Sequence, residues 1–91
     1  MKFSFPAIFI KEKDGGYSVE FPDIIACVTC GDDMEDAVYM AEDVLRLMLE
    51  DNANNAQKSK PSDINKLIKE YPNDIVKIIQ VEIDDKYLVK K

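Results

Sequence analysis

The sequence predicts an α+β domain in the order β-β-β-α-α-β, with a main helix packed on one face of an antiparallel sheet. Two patterns predict this class. Apolar and polar residues alternate near both ends of the chain, as in strands with one buried face. Between them, over residues 33–50, apolar residues recur at helical spacing. A length of 91 residues predicts a single domain over residues 1–91.

The first three strands are predicted to form an antiparallel meander. Gly15-Gly16 supplies a hairpin turn before the second strand, residues 17–21, and Pro22-Asp23 ends that strand. Residues 24–29 are then predicted to form the third strand. The first strand is the clearest of the three, because its inward positions alternate regularly at Phe3, Phe5, Ala7 and Phe9.

The main helix is predicted to start with a capping box. Asp32 offers the N-cap, and Glu35 follows it three residues later, at the positive end of the helix dipole. The helix must cover the sheet with one apolar stripe, and we expect this to be core and not a cofactor site. The stripe comprises Met34, Ala37, Val38, Ala41, Val44, Leu45 and Met48.

A second row on the main helix is the candidate partner-binding site. A helical projection places it beside the core stripe, where two apolar residues are edged by two carboxylates. Such a mixture suits an apolar anchor with a charged rim that contacts a basic protein. The alternative is that the loop from Asp51 or the short second helix covers the apolar residues. The row comprises Asp36, Met40, Asp43 and Leu47.

The C-terminal part is predicted to contain a polar connecting loop, a short helix and a final strand. The loop covers residues 51–60, Pro61-Ser62-Asp63 can start the helix, and residues 71–74 stop it. Alternating apolar residues then indicate the closing strand, at Ile75, Ile79, Val81 and Ile83.

Composition excludes several classes of function. The chain has no histidine, which is the commonest general base near neutral pH and the commonest transition-metal ligand. We therefore assign no catalytic residue, no metal site and no cofactor. A net charge of −6 disfavours sequence-independent nucleic-acid binding and suits a basic protein partner, although solubility alone would also account for it. No membrane helix or secretion signal is evident, so we expect a cytoplasmic protein.

Cys27 and Cys30 form a C-x-x-C motif, a spacing found in zinc and redox sites. A zinc site needs about four ligands, and a redox site places its first cysteine at a helix N-terminus. Here Cys27 lies within the strand-like residues 24–29, and side chains three apart on a strand point to opposite faces. We expect one thiol to be buried and the other exposed, with both reduced, unbridged and free of metal.

Several segments resemble the signature of one known family, the HicB-like antitoxins, over nearly the whole chain. The segment Tyr17-Ser18-Val19-Glu20-Phe21-Pro22-Asp23 is followed by Cys27-x-Thr29-x-Gly31-Asp32 and by an acid-led helix with Glu35 and Ala37. The later segment of the family is matched by Lys60-Pro61-Ser62-Asp63-Ile64 and by the apolar strand that ends in Asp84 and Tyr87.

The resemblance implies a degraded RNase H-like fold and a partner, a small HicA-like toxin that cleaves mRNA. Antitoxins of this family usually carry a C-terminal DNA-binding module. The chain stops at Lys90-Lys91, about where that module would begin, so we expect it to be lacking and expect no DNA binding by this chain alone. At Ile25-Ala26 the family typically has Pro-Gly, so we expect its bend to be replaced by a straighter strand.

Two other functions stay open. An RNase H-like sheet raises the possibility of a metal-dependent nuclease, but the first strand, residues 1–10, carries no carboxylate. The other is a structural or regulatory module that has no toxin.

Exposed strand edges and a small core also predict a homodimer or larger homo-oligomer, against the alternative of a monomer whose edges are protected by charge.

Overall fold

The structure is a computed structural model that describes residues 2–24, 26–51 and 61–84. The predicted α+β class and the order β-β-β-α-α-β are confirmed. Asp51 still belongs to the main helix, and the rest of the loop predicted over residues 51–60 lies outside the described residues. In chain order the elements are β1 (Lys2–Lys11), β2 (Tyr17–Glu20), β3 (Val28–Gly31), α1 (Met34–Asp51), α2 (Ile64–Glu70) and β4 (Ile75–Glu82).

The strands form one four-stranded sheet in the order β3-β2-β1-β4. All neighbouring strands are antiparallel, as in the pairs Phe9–Val19 and Val19–Thr29. β4 pairs with β1 along its whole length, from Ile75 opposite Phe9 to Glu82 opposite Lys2. The predicted meander therefore occupies one side of the sheet, and the final strand joins at β1, which leaves β3 and β4 at the two edges.

One face of the sheet is covered by α1 and forms the main core. The inward residues of β1 pack there as predicted, and Phe5, Ala7 and Phe9 are fully buried. The predicted stripe of α1 also faces the sheet, partly buried at its margins and fully buried along its centre. That centre runs through Ala37, Ala41, Leu45 and Leu49, of which the prediction omitted only Leu49.

The other face of the sheet is also partly covered. Pro6 and Ile8 point away from the main core because they alternate with its residues along β1, yet both are fully buried. α2 contacts β4, and Leu67 of α2 is buried outside the main cluster. These observations indicate that α2 covers part of this second face.

Hydrogen bonds from two segments fix the start of α2. The Asp63 side chain accepts a hydrogen bond from the backbone N–H of Asn65 at 3.0 Å, so Asp63 is the N-cap. Ser62 donates to Asp23 twice, from its backbone N at 2.9 Å and from its Oγ at 2.5 Å. The Pro22-Asp23 segment and the Pro61-Ser62-Asp63 segment therefore bind each other, and this contact ties α2 to the exit of β2.

The prediction of a strand from Ile24, straightened at Ala26, is wrong; Ile25 lies outside the described residues. Phe21 N–H donates to Cys27 O at 3.1 Å, and Cys27 N–H donates to Ile24 O at 3.3 Å, which folds this segment into a compact turn. Ala26 has a φ of 63°, in the left-handed region. The physical reason is burial: Ile24 and Cys27 both belong to the main core, and on a straight strand residues three apart would point to opposite faces.

Candidate docking surface

Asp36, the first residue of the predicted docking row, takes part in the N-terminal cap of α1. Its backbone N–H donates to Asp33 Oδ1 at 2.8 Å, and its own Oδ2 accepts from the backbone N–H of Asp32 at 2.9 Å. Ala37 N–H donates to Asp33 O at 2.8 Å, the first hydrogen bond of the helix. The predicted capping box of Asp32 and Glu35 is therefore wrong by one residue, because Asp33 and Asp36 satisfy the free N–H groups.

The predicted row lies on the side of α1 that faces away from the sheet. A helix turns by about 100° per residue, which places the centre of the row more than about 90° from the centre of the buried stripe. Asp36, Met40 and Asp43 are half-buried, whereas Leu47 is 56% exposed.

Sequence reasoning missed Tyr39, which is 65% exposed on the same side of α1. Tyr39, Asp43 and Leu47 follow one another at intervals of four residues and so lie along one line of the helix. The signal was available, because Tyr39 is an aromatic residue outside the core stripe. We call the surface formed by Asp36, Tyr39, Met40, Asp43 and Leu47 the α1 outer face.

An acidic pocket of about 370 Å³ lies between the β1–β2 hairpin and the end of β3. The hairpin positions two of its carboxylates: Ser18 Oγ donates to Glu12 Oε2 at 2.5 Å, and Gly16 N–H donates to Asp14 Oδ1 at 3.2 Å. A third carboxylate comes from Asp32, beside the cap of α1, so acidic groups run from the hairpin to the helix. The pocket is lined by Glu12, Asp14, Gly16, Tyr17, Cys30, Gly31 and Asp32.

The two cysteines lie in opposite environments, as predicted. Cys27 is 1% exposed, and burial raises the pKa of its thiol to about 11, whereas Cys30 is exposed. Cys27 is thus a small apolar core residue. Among residues 2–24, 26–51 and 61–84, no three side chains of the histidine, cysteine, aspartate or glutamate type are placed to hold a metal ion.

The described helices include none that is long and apolar enough to cross a membrane. The arrangement defines a small α+β domain that presents an exposed helix face with aromatic, apolar and acidic residues. Residues 5–91 match the model of the HicB-like antitoxin of bacterial toxin–antitoxin systems, and the chain belongs to this family. No curated protein sequence matches the chain.

Solved structures share this fold. A toxin–antitoxin complex from Streptococcus pneumoniae has a TM-score of 0.73 at 21% identity, covering 100% of this chain and 79% of that one. The antitoxin HicB of Burkholderia pseudomallei has a TM-score of 0.75 at 20% identity, covering 98% of this chain and 67% of that one. A HicA3–HicB3 toxin–antitoxin complex has a TM-score of 0.62 at 26% identity, covering 90% of this chain and 99% of that one.

Proposed function

We propose that this chain is a non-catalytic antitoxin that binds and neutralises a small, basic, HicA-type toxin that cleaves mRNA. The match of residues 5–91 to the HicB-like antitoxin family carries the proposal. The similar HicA3–HicB3 structure is a toxin–antitoxin complex, which supports a toxin as the partner. The proposal includes a single domain over residues 1–91, a degraded RNase H-like fold and a place in the cytoplasm, where an mRNA-cleaving toxin acts.

The toxin is proposed to dock on the α1 outer face. Tyr39 and Leu47 are more than half exposed and can act as apolar anchors, while Asp43 lies between them along the helix. Interfaces are enriched in aromatic anchors of this kind, and acidic groups beside them speed the approach of a basic partner. The acidic pocket lies next to the helix cap at Asp32 and extends the same negative surface.

Two substitutions test this surface. Tyr39→Ala is expected to weaken toxin binding by about tenfold or more, because removing an interface anchor costs on the order of 2 kcal/mol. Asp43→Lys is expected to slow association, with the effect shrinking as salt is raised. Asp36 is unsuitable for charge reversal because its side chain caps α1. Association rates and inhibition of RNA cleavage by the toxin are the measurements.

Matched controls come from α2. Ile68 is 48% exposed and Glu70 is exposed, so Ile68→Ala removes an exposed apolar side chain and Glu70→Lys reverses a carboxylate charge away from α1. Both controls are expected to neutralise the toxin like the parent. If Tyr39→Ala and Asp43→Lys also neutralise it fully, with unchanged circular dichroism, the toxin does not dock on the α1 outer face.

The enzyme alternative is tested with the chain alone. RNA–DNA hybrid and single-stranded RNA, incubated with the chain and Mg²⁺ or Mn²⁺, are expected to stay intact. Metal-dependent cleavage that a carboxylate substitution abolishes would replace the antitoxin proposal by a nuclease. The module without a toxin would be favoured if the neighbouring open reading frame encoded no short basic protein.

The chain is also proposed to form a homodimer or a larger closed homo-oligomer. The sheet has two edges, at β3 and β4, and an edge strand with free backbone groups is a site of further pairing unless it is covered. Light scattering of the parent at micromolar concentration is expected to give at least twice the monomer mass.

A further inference from the structure

We infer that two copies of this chain pair antiparallel along β4, which joins their sheets into one continuous eight-stranded sheet. The inference rests on the homo-oligomer part of the proposed function and names the surface that forms it. β4 pairs with β1 on one side, and no other described strand lies on its opposite side. Its outer edge is long, since β4 runs over eight residues from Ile75 to Glu82.

The two edges of the sheet differ in how well they can accept a strand. α1 contacts both edge strands and α2 also contacts β4, but β3 has only four residues, and Gly31 lies so close to α1 that an added Cβ would be 2.4 Å from Ala37 N. β4 has twice that length and contains neither proline nor glycine. Ile75 is 41% exposed and Ile78 is 48% exposed, so β4 also offers apolar side chains to a partner. β4 is therefore the edge open to pairing.

The local charge of β4 favours a second copy over the basic toxin as the occupant. The chain carries a net charge of −6, so two copies repel each other electrostatically. β4 contains one lysine, Lys77, and one glutamate, Glu82, so its formal charge is zero. A basic toxin gains nothing electrostatically at a neutral strand, whereas an identical acidic chain meets less repulsion there than at an acidic surface.

The sequence of β4 also selects a register. In an antiparallel pair related by a two-fold axis, residues opposite each other point to the same face of the sheet. An axis at Ile78 places its side chain against its counterpart in the second copy, and Val76 against Gln80. Lys77 then lies opposite Ile79. Moving the axis by one residue to Lys77 would instead oppose two ammonium groups, which destabilises a cross-strand pair.

The test compares Ile78→Lys with Ile68→Lys in the full chain. Both isoleucines are 48% exposed, so the two variants carry the same chemical change at equally exposed sites, one on the β4 edge and one on α2. Light scattering at micromolar concentration is expected to give the dimer or larger mass for the parent and Ile68→Lys. Ile78→Lys is expected to give half that mass or less, with unchanged circular dichroism.

Cross-linking tests the register independently of any loss of folding. In a Cys30→Ser background, Ile78→Cys is expected to form a covalent dimer with a short bismaleimide, because the two Cβ atoms at the axis lie about 4.5–5.5 Å apart. Ile68→Cys in the same background is expected to stay uncrosslinked. Equal cross-linking of the two variants would overturn the register.

A parent that scatters as a monomer, or a dimer that Ile78→Lys leaves intact, overturns pairing through β4 whatever the toxin does. A parent that dimerises through β4 and yet fails to bind any basic toxin supports the pairing and refutes the antitoxin proposal. Ile78→Lys that is monomeric and still neutralises the toxin supports both.

Discussion

Substitution of Gly31 by alanine provides the sharpest test of how β3 and α1 are joined. A Cβ atom at Gly31 would lie 2.4 Å from Ala37 N, 2.5 Å from its Cα and 2.9 Å from its Cβ. Most of these atoms belong to the backbone of a fully buried helix residue and cannot rotate away. β3 and α1 would have to separate, so we expect Gly31→Ala to cost about 3 kcal/mol, the upper part of the usual range for overpacking.

That cost is large for a chain of 91 residues. Domains of this size are stabilised by roughly 5–15 kcal/mol, and 1 kcal/mol shifts the melting temperature by about 4–8 °C. Gly31→Ala is thus expected to lower the melting temperature by on the order of 12–24 °C. Thermal and urea unfolding followed by circular dichroism measure the change.

Gly15→Ala is the matched control for this experiment. Gly15 has a φ of 98°, but a Cβ atom there would have nothing within 4 Å. Its substitution therefore costs only backbone strain, about 1–2 kcal/mol. If Gly31→Ala loses no more stability than Gly15→Ala, close approach of β3 and α1 is not what requires glycine at position 31.

Three further predictions concern the cysteines, the contact between Asp23 and Ser62, and the turn at Ala26. Ellman's reagent is expected to label Cys30 in the folded chain and Cys27 only in denaturant. Because burial raises the pKa of Cys27 to about 11, from an ordinary value of 9.0, the unfolded thiol loses its proton first. The free energy of unfolding, measured by urea titration, should then fall between about pH 9 and 11. Cys27→Ala should remove this fall. Asp23→Ala and Ser62→Ala are each expected to cost about 1–3 kcal/mol, and the double variant should cost clearly less than their sum. Ala26 has a φ of 63°, which strains an alanine, so Ala26→Gly is expected to raise the free energy of unfolding by up to about 1 kcal/mol. A lower urea midpoint for this variant would contradict the strain.

The fold was predictable because its patterns are local. Alternation along β1 and helical spacing along α1 each identify a buried face without knowledge of the partner element. The turn before β3 was missed because residues 24–29 were assigned from their β propensity alone. Burial of both Ile24 and Cys27 overrides that propensity, and their spacing of three residues was the available signal.

The candidate site was less predictable because it depends on contacts between distant segments. The acidic pocket forms because the sheet register places Tyr17 opposite Gly31, which brings the hairpin turn beside the start of α1. Neither segment alone predicts this proximity. The role of Asp36 was missed for a related reason: a shift of one residue in the cap turns a rim charge into a capping group.

Charge gives the two proposed interfaces opposite responses to salt. The α1 outer face attracts a basic toxin through carboxylates, so raising salt from about 0.05 to 0.5 M should slow toxin association by screening this attraction. Pairing along the neutral β4 opposes two chains that each carry a net charge of −6, and the same screening reduces their repulsion. Self-association is therefore expected to become stronger, or to stay unchanged, over the salt range in which toxin association slows. A salt series that measures toxin association by surface plasmon resonance and chain mass by light scattering tests both. If both weaken together, charge does not separate the two surfaces, and carboxylate contacts must contribute to self-association as well.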